Sequence, residues 1–208
     1  MSTTAWYDVF ANFYDASLDA TYREHRQQAL RALALQPGMT VVDVGCGTGA
    51  SLPVLVPAVG PSGRVVGVDA SPGMLEKARA RARRHGWENV ELRRVGSDHT
   101  PDAIARELGT LDRVHCFLSL SVIDTWREVL DGWWQVLAPG GRFVIADVHN
   151  VNPGAYARIV EVIASASLPR KSWEPLAERC EDFALEWQES SWSLGGKFFV
   201  ASGSKPSS

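Results

Sequence analysis

The chain has 208 residues, enough for one domain with a full-sized hydrophobic core. Hydrophobic residues make up 45% and charged residues 22%, and a net charge of -3 gives no reason to expect nucleic-acid binding. The three cysteines are scattered, so we expect neither disulfides nor a metal site. No export signal begins the chain and no 18-residue apolar run occurs, so we expect a cytoplasmic protein without a membrane span.

Two helices are predicted ahead of the first strand. Aromatic residues at three- and four-residue spacing predict an amphipathic helix near residues 5–14, and a second helix is expected over residues 22–35. We interpret residues 1–36 as an N-terminal helical lid and residues 37–205 as the main domain.

From residue 41 onward the predicted strands and helices alternate. The strands are expected at residues 41–44, 65–68, 90–95, 114–120 and 143–148. The helices between them are expected near residues 51–59, 72–85, 102–108 and 124–137. This alternation predicts the α/β class, with a doubly wound and mainly parallel sheet.

The end of the chain departs from the alternation. After a predicted helix near residues 155–166, two strand-like runs at residues 183–187 and 197–201 predict a hairpin that adds one antiparallel strand to the sheet.

The most informative segment is a glycine-rich turn that follows the first strand. Gly45, Gly47 and Gly49 come directly after the apolar run that contains Asp43, and Asp69 ends the next strand. Such a turn lets backbone approach a nucleotide-containing ligand at the top of a parallel sheet.

Two cofactors fit this turn on the residues alone. The spacing satisfies a permissive dinucleotide fingerprint, with Asp69 placed as the acid that binds the ribose of a nicotinamide cofactor. Asp43 instead favours a ligand with a cationic amino group and no pyrophosphate.

Four segments together resemble the successive motifs of the class I S-adenosylmethionine-dependent methyltransferases. They are residues 41–50, Asp69, residues 96–98 and residues 137–147. The resemblance covers residues 7–205 and implies a seven-stranded Rossmann-like sheet that ends in an antiparallel hairpin, with S-adenosylmethionine as the cofactor.

The resemblance also implies roles for particular residues. The three glycines would approach the methionine moiety, Asp43 its ammonium group, and Asp69 the ribose diol. The remaining predicted cofactor contacts are Met74 and Ala70 on the adenine face, Ser97 and Asp98 at the adenine amino group, Leu118 and Ser119 near the sulfonium, Cys46 within the turn, and Tyr22 in the lid.

Methyl transfer needs positioning and, for some acceptors, a base, so a motif does not reveal the catalytic group. His149 follows the fifth strand, where such sites form, and Tyr14 lies in the predicted lid; both are candidate catalytic residues. His115 lies inside a strand and is interpreted as structural.

The sub-family is left open by the sequence. The pattern of residues 7–15 resembles the quinone-biosynthesis and phospholipid-headgroup methyltransferases, whereas the last strand resembles other small-molecule enzymes. We expect an amine, hydroxyl or activated ring carbon of a small molecule or lipid headgroup as acceptor, and a homodimer as one assembly. The alternatives are a nicotinamide-dependent oxidoreductase and a non-catalytic, cofactor-binding partner of another methyltransferase.

Overall fold

The computed structural model describes residues 22–95, 100–151, 166–189 and 196–207. Its helices are α1 (Arg23–Leu33), α2 (Leu52–Val59), α3 (Pro72–His85), α4 (Pro101–Leu108), α5 (Trp126–Val136) and α6 (Glu174–Arg179). Its strands are β1 (Thr40–Val44), β2 (Arg64–Asp69), β3 (Val90–Arg94), β4 (Arg113–Phe117), β5 (Arg142–His149), β6 (Ala184–Glu189) and β7 (Lys197–Ser204).

All seven strands form one sheet in the order β3-β2-β1-β4-β5-β7-β6. The first five pair in parallel, and β7 runs antiparallel to both β5 and β6. The predicted fold class and C-terminal hairpin are therefore confirmed. The direction of strand addition reverses between β1 and β4, and open α/β sheets bind ligands at this point.

Apolar side chains cover both faces of the sheet. On one face, Val114, Phe143 and Phe199 pack with Trp133 of α5 and Leu176 of α6. On the other face, Val41, Val65 and Val144 pack with Leu33 of α1 and Leu55 of α2. Both layers come from the strict alternation of side chains along each strand.

Two arginines fix α1 on its face of the sheet. Arg113 and Arg142 begin β4 and β5, and their Nε atoms donate to the carbonyls of Leu33 and Ala32 at 2.7 and 2.6 Å. These bonds satisfy carbonyls at the end of α1 that have no partner within the helix. The other end of α1 therefore lies toward the carboxyl ends of the strands.

The structure changes the predicted elements at two places. The fourth strand ends at Phe117, three residues before the predicted end, because Leu118 has a φ of 51° that no β-strand accommodates. Helix α6 was not predicted from the sequence. The helices expected near residues 5–14 and 155–166 lie outside the described residues, except for Ala166.

None of the helices in the described part of the chain is long and apolar enough to cross a membrane. Within those same residues, no three side chains of His, Cys, Asp or Glu gather as metal ligands would.

Candidate functional site

The glycine turn, residues 45–49, leads from β1 toward α2 and lies beside the end of β2. The N–H groups of Gly45 and Cys46 both donate to the carbonyl of Val68, at 2.8 and 3.0 Å. Gly45, Gly47 and Gly49 all have positive φ, which L side chains rarely adopt. The turn is thereby held close to Asp69.

Two of these glycines face very different surroundings. A Cβ on Gly45 would lie 2.5 Å from the Cβ of Ser119, so the backbone of the turn and the chain after β4 touch there. A Cβ on Gly47 would meet none of the described residues within 4 Å. Within that part of the chain the backbone at Gly47 therefore leaves room for a ligand.

Asp69 links the glycine turn to the start of α3. Its carboxylate accepts from the N–H of Gly47 and from the N–H of Ser71, both at 2.9 Å. Burial raises the pKa of Asp69, and these backbone hydrogen bonds oppose the rise. Each carboxylate oxygen keeps a lone pair for a further donor.

The other predicted contacts near Asp69 lie at the start of α3 or in the turn. Met74 is buried in the first turn of α3, and its N–H donates to the hydroxyl of Ser71 at 3.2 Å. Ala70 is exposed. Burial, with the charges of Asp43 and Asp69, raises the pKa of the Cys46 thiol well above its usual value, so the group is an inert thiol.

Asp43 is buried in β1 and contacts a residue of the neighbouring strand. Parallel register places it beside His115 of β4, and its Oδ1 lies 2.8 Å from the Nδ1 of that ring. Its second oxygen, Oδ2, is buried and has no hydrogen-bond partner among the described residues. One oxygen is thus held in place while the other is available to a donor.

Leu118 and Ser119 lie directly after β4 and close the site opposite Gly45. The N–H of Leu118 donates to the carbonyl of Ala146 at 2.8 Å, and Ser119 is 2% exposed. Tyr22 is also near this strand end, with its ring packed edge-on against Phe117. Arg26 of α1, which sequence reasoning did not single out, lies with its guanidinium carbon 5.0 Å from the centroid of the same Phe117 ring.

The candidate base His149 lies elsewhere along the same edge of the sheet. It is half-buried at the end of β5, and its Nδ1 lies 3.2 Å from the carbonyl oxygen of Arg170. Its ring packs against Trp173 and Trp187. Three other predicted site residues, Tyr14, Ser97 and Asp98, lie outside the described residues.

One buried acid at this edge was missed by sequence reasoning. Asp147 of β5 is 1% exposed and accepts from the N–H groups of Ser121 and Val148, at 2.9 and 2.8 Å. Burial raises its pKa to about 6, against the effect of these hydrogen bonds and the charge of Arg170. Its place inside the last motif, at residues 137–147, was the available signal.

Comparison with known proteins gives a family and a fold. A family model described as "Methyltransferase domain" matches residues 35–193. The chain is 38% identical over 120 residues to an arsenite methyltransferase of Halobacterium salinarum, covering 58% of this chain and 30% of that protein. It is 27% identical over 175 residues to a demethylmenaquinone methyltransferase of Lactococcus lactis, covering 78% and 68%.

A solved structure shows the same fold over almost the whole chain. It is titled as a complex between the Haloferax volcanii Trm112 methyltransferase activator and a putative methyltransferase, and it superposes with a TM-score of 0.75 at 20% identity. The superposition covers 99% of this chain and 98% of the solved one.

The family match spans most of the chain, so this protein belongs to the methyltransferase domain family, and the resemblance to class I methyltransferases is confirmed. The chain spans only 30% of the length of the arsenite methyltransferase that it matches, so the activity and substrate of the whole protein are put forward as a proposal.

Proposed function

We propose that this protein transfers a methyl group from S-adenosylmethionine to a small organic molecule or lipid headgroup. The observation that carries the proposal is the pair of acids on either side of an open glycine turn. Asp69 accepts from the N–H of Gly47 at 2.9 Å, and a Cβ on Gly47 would lie more than 4 Å from every described residue except its chain neighbours.

The donor groups of S-adenosylmethionine fit these residues. Asp69 would accept the two ribose hydroxyls, because both of its oxygens are fixed by backbone donors and keep a lone pair each. Asp43 would accept the ammonium group, because its buried Oδ2 has no donor among the described residues and His115 orients the carboxylate. A nicotinamide dinucleotide has no ammonium group that could donate to Asp43.

When bound, S-adenosylmethionine supplies an electrophilic methyl group on a sulfonium, for in-line displacement by a nucleophile of the acceptor. Leu118 and Ser119 would line the transfer site and exclude water from it. His149 and Tyr14 remain the proposed bases for acceptors that must lose a proton. If the Nδ1–H of His149 donates to the carbonyl of Arg170, the ring keeps Nε2 as its acceptor atom.

The cysteines argue against arsenite as the acceptor, although one relative carries that name. Arsenic(III) is a soft centre that thiolates bind well. Burial raises the pKa of the thiols of Cys46, Cys116 and Cys180. Cys46 follows β1, whereas Cys180 packs against Gly203, which pairs with Phe143 near the opposite edge of the sheet. The thiols therefore do not converge, and an organic acceptor is the better proposal.

A second candidate function is that of a methyltransferase subunit working with a partner protein. The solved structure that superposes on almost the whole chain is itself a complex with a methyltransferase activator. In this candidate the cofactor site is the same, but the isolated chain would bind S-adenosylmethionine without methylating an acceptor.

An acceptor panel tests the proposed activity. The purified protein is incubated with S-adenosylmethionine carrying a deuterated methyl group and with amines, phenols, quinols and ethanolamine lipids, and products are read by mass. Transfer of the labelled methyl group to one acceptor class is expected. The Asp69→Asn variant should lose this transfer, while Asp102→Asn, at an exposed acid paired with Arg106 on α4, should keep it. Cofactor binding without transfer to any acceptor would instead support the partner-dependent subunit.

A further inference from the structure

The chain directly after β4 contains a strained residue. Among the described residues, Leu118 and Ala34 are the non-glycine residues with positive φ, at 51° and 49°. A leucine gains no local hydrogen bond from this left-handed conformation, so the surroundings must impose it. Residues 118–123 are called the β4 turn below.

Strand β5 supplies two anchors for the β4 turn. The carbonyl of Ala146 accepts from the N–H of Leu118 at 2.8 Å. The next residue, Asp147, accepts from the N–H of Ser121 at 2.9 Å through Oδ2, while its Oδ1 accepts from the N–H of Val148. The strained Leu118 and the buried Ser121 are therefore both held by neighbouring residues of β5.

The segment after the described end of β5 supplies further anchors. Arg170 donates from Nη1 to the carbonyls of Leu120 and Ile123, the second at 2.7 Å. Ser167 donates its N–H to the carbonyl of Ser121 at 2.7 Å. With five backbone groups bound to protein partners, the β4 turn has one defined path.

This path decides how closely the β4 turn approaches the glycine turn. Ser119 follows Leu118, and its Cβ lies where a side chain on Gly45 would collide at 2.5 Å. Relaxing Leu118 to an ordinary negative φ would turn Ser119 away from Gly45. The wall of the candidate cofactor site therefore depends on contacts made by β5.

We propose that Asp147 is a positioning residue for the cofactor site, which holds the β4 turn through the Ser121 N–H so that Leu118 stays left-handed and Ser119 stays against Gly45. The proposal rests on the S-adenosylmethionine site put forward above. It gives Asp147 no contact with the cofactor or the acceptor.

The charges around Asp147 are consistent with a structural carboxylate. Arg170 is the cation that acts on it, and burial, followed by the charges of Asp43 and Asp147, raises the pKa of the Cys116 thiol. Asp124 also acts electrostatically on Arg170. Hydrogen bonds from Val148 and Ser121 stabilise the Asp147 carboxylate together with the charge of Arg170.

The test measures cofactor affinity by calorimetry for wild type, Asp147→Asn, Leu118→Gly and the double variant. Asparagine has one acceptor oxygen for the N–H groups of Ser121 and Val148, so the anchor of the turn is weakened, and affinity for S-adenosylmethionine should fall about tenfold. Glycine adopts a positive φ without strain, so Asp147→Asn should change affinity by less than about threefold when it is made in the Leu118→Gly protein and compared with Leu118→Gly alone.

Ala34→Gly is the matched control, because it relieves the other left-handed residue at the opposite edge of the sheet. Combined with Asp147→Asn it should raise the free energy of unfolding without restoring affinity. If Asp147→Asn does not fold, Arg170→Met removes a different anchor of the same turn and should show the same loss and the same rescue.

The outcomes separate the two proposals. Wild type that does not bind S-adenosylmethionine would overturn the proposed function and this inference with it. Wild type that binds, together with a folded Asp147→Asn variant of unchanged affinity, would overturn the inference alone. Equal rescue by Ala34→Gly would show a general effect on stability and would also overturn it.

Discussion

Asp43 and His115 form a buried pair across two neighbouring parallel strands, with Oδ1 and Nδ1 2.8 Å apart. Their side chains are 3% and 2% exposed, although the residues are 72 positions apart in sequence. The pair orients the carboxylate whose other oxygen we assign to the ammonium group of the cofactor. His115 of β4 therefore positions the Asp43 carboxylate of the neighbouring strand β1.

Replacing His115 with alanine is expected to destabilise the protein strongly. The change leaves the Asp43 carboxylate buried without this partner, and removal of one member of a buried pair costs about 3–5 kcal/mol. Urea unfolding measures the loss. His85→Ala, at an exposed histidine at the end of α3, should cost less than about 0.5 kcal/mol. Similar losses for both variants would contradict the role given to the pair.

Asp69→Asn is expected to weaken S-adenosylmethionine binding by at least about tenfold. An amide has one acceptor oxygen, so it cannot hold both the Gly47 and Ser71 N–H groups and also accept two ribose hydroxyls. Calorimetry compares the Asp69→Asn variant with Asp102→Asn, which makes the same change of charge at an exposed acid. Unchanged affinity in the Asp69 variant would show that this acid does not bind the ribose.

Gly45→Ala and Gly86→Ala separate steric contact from backbone strain. The two glycines have almost the same φ, 68° and 67°, but a Cβ at Gly86 meets no atom within 4 Å in the part of the chain that the structure describes. Gly86→Ala should lower the free energy of unfolding by about 1–2 kcal/mol through φ alone. Gly45→Ala should cost roughly twice as much, because Ser119 must also move. If thermal or urea unfolding gave equal losses in the free energy of unfolding for both variants, Ser119 and the β4 turn would move aside at little energetic cost.

The stability of wild type relative to Asp147→Asn should depend on pH. Burial raises the pKa of Asp147 to about 6 in the folded protein, whereas an aspartate in an unfolded chain titrates near about 3.9. The folded state thus binds this proton more tightly. The proton-linked contribution of Asp147 to the free energy of unfolding is fully present below about pH 4. It decreases as the pH rises and is lost above about pH 6, by about 3 kcal/mol in all.

Urea unfolding of both proteins between about pH 4.5 and about pH 7 checks this dependence. The free energy of unfolding of wild type minus that of Asp147→Asn should increase as the pH is lowered. The raised pKa of Asp69 also makes stability depend on pH, but this dependence cancels because both proteins contain Asp69. A constant difference across this range would contradict the assigned pKa.

The sequence predicted the sheet, the hairpin and the glycine turn because these depend on local patterns. Alternating apolar runs, Pro72 at the start of α3 and the spacing of Gly45, Gly47 and Gly49 are all visible within a few residues. The spacing also indicated Asp69, and the resemblance to known motifs added its predicted role toward the ribose of S-adenosylmethionine.

What the sequence did not predict depends on register between distant strands. His115 was interpreted as structural, but only the pairing of β1 with β4 places it on Asp43. The left-handed Leu118 was included in a strand, because leucine carries no signal for a positive φ that β5 imposes. Asp147 gave no sign of being a buried acceptor for Ser121.

The central claim is that the glycine turn holds S-adenosylmethionine rather than a nicotinamide dinucleotide. Calorimetric titration of the purified wild-type protein with S-adenosylmethionine, S-adenosylhomocysteine and NAD tests it most directly. We predict saturable binding of the first two ligands at a ratio of one per chain and no binding of NAD. Binding of NAD without binding of either sulfur-containing ligand would contradict the claim.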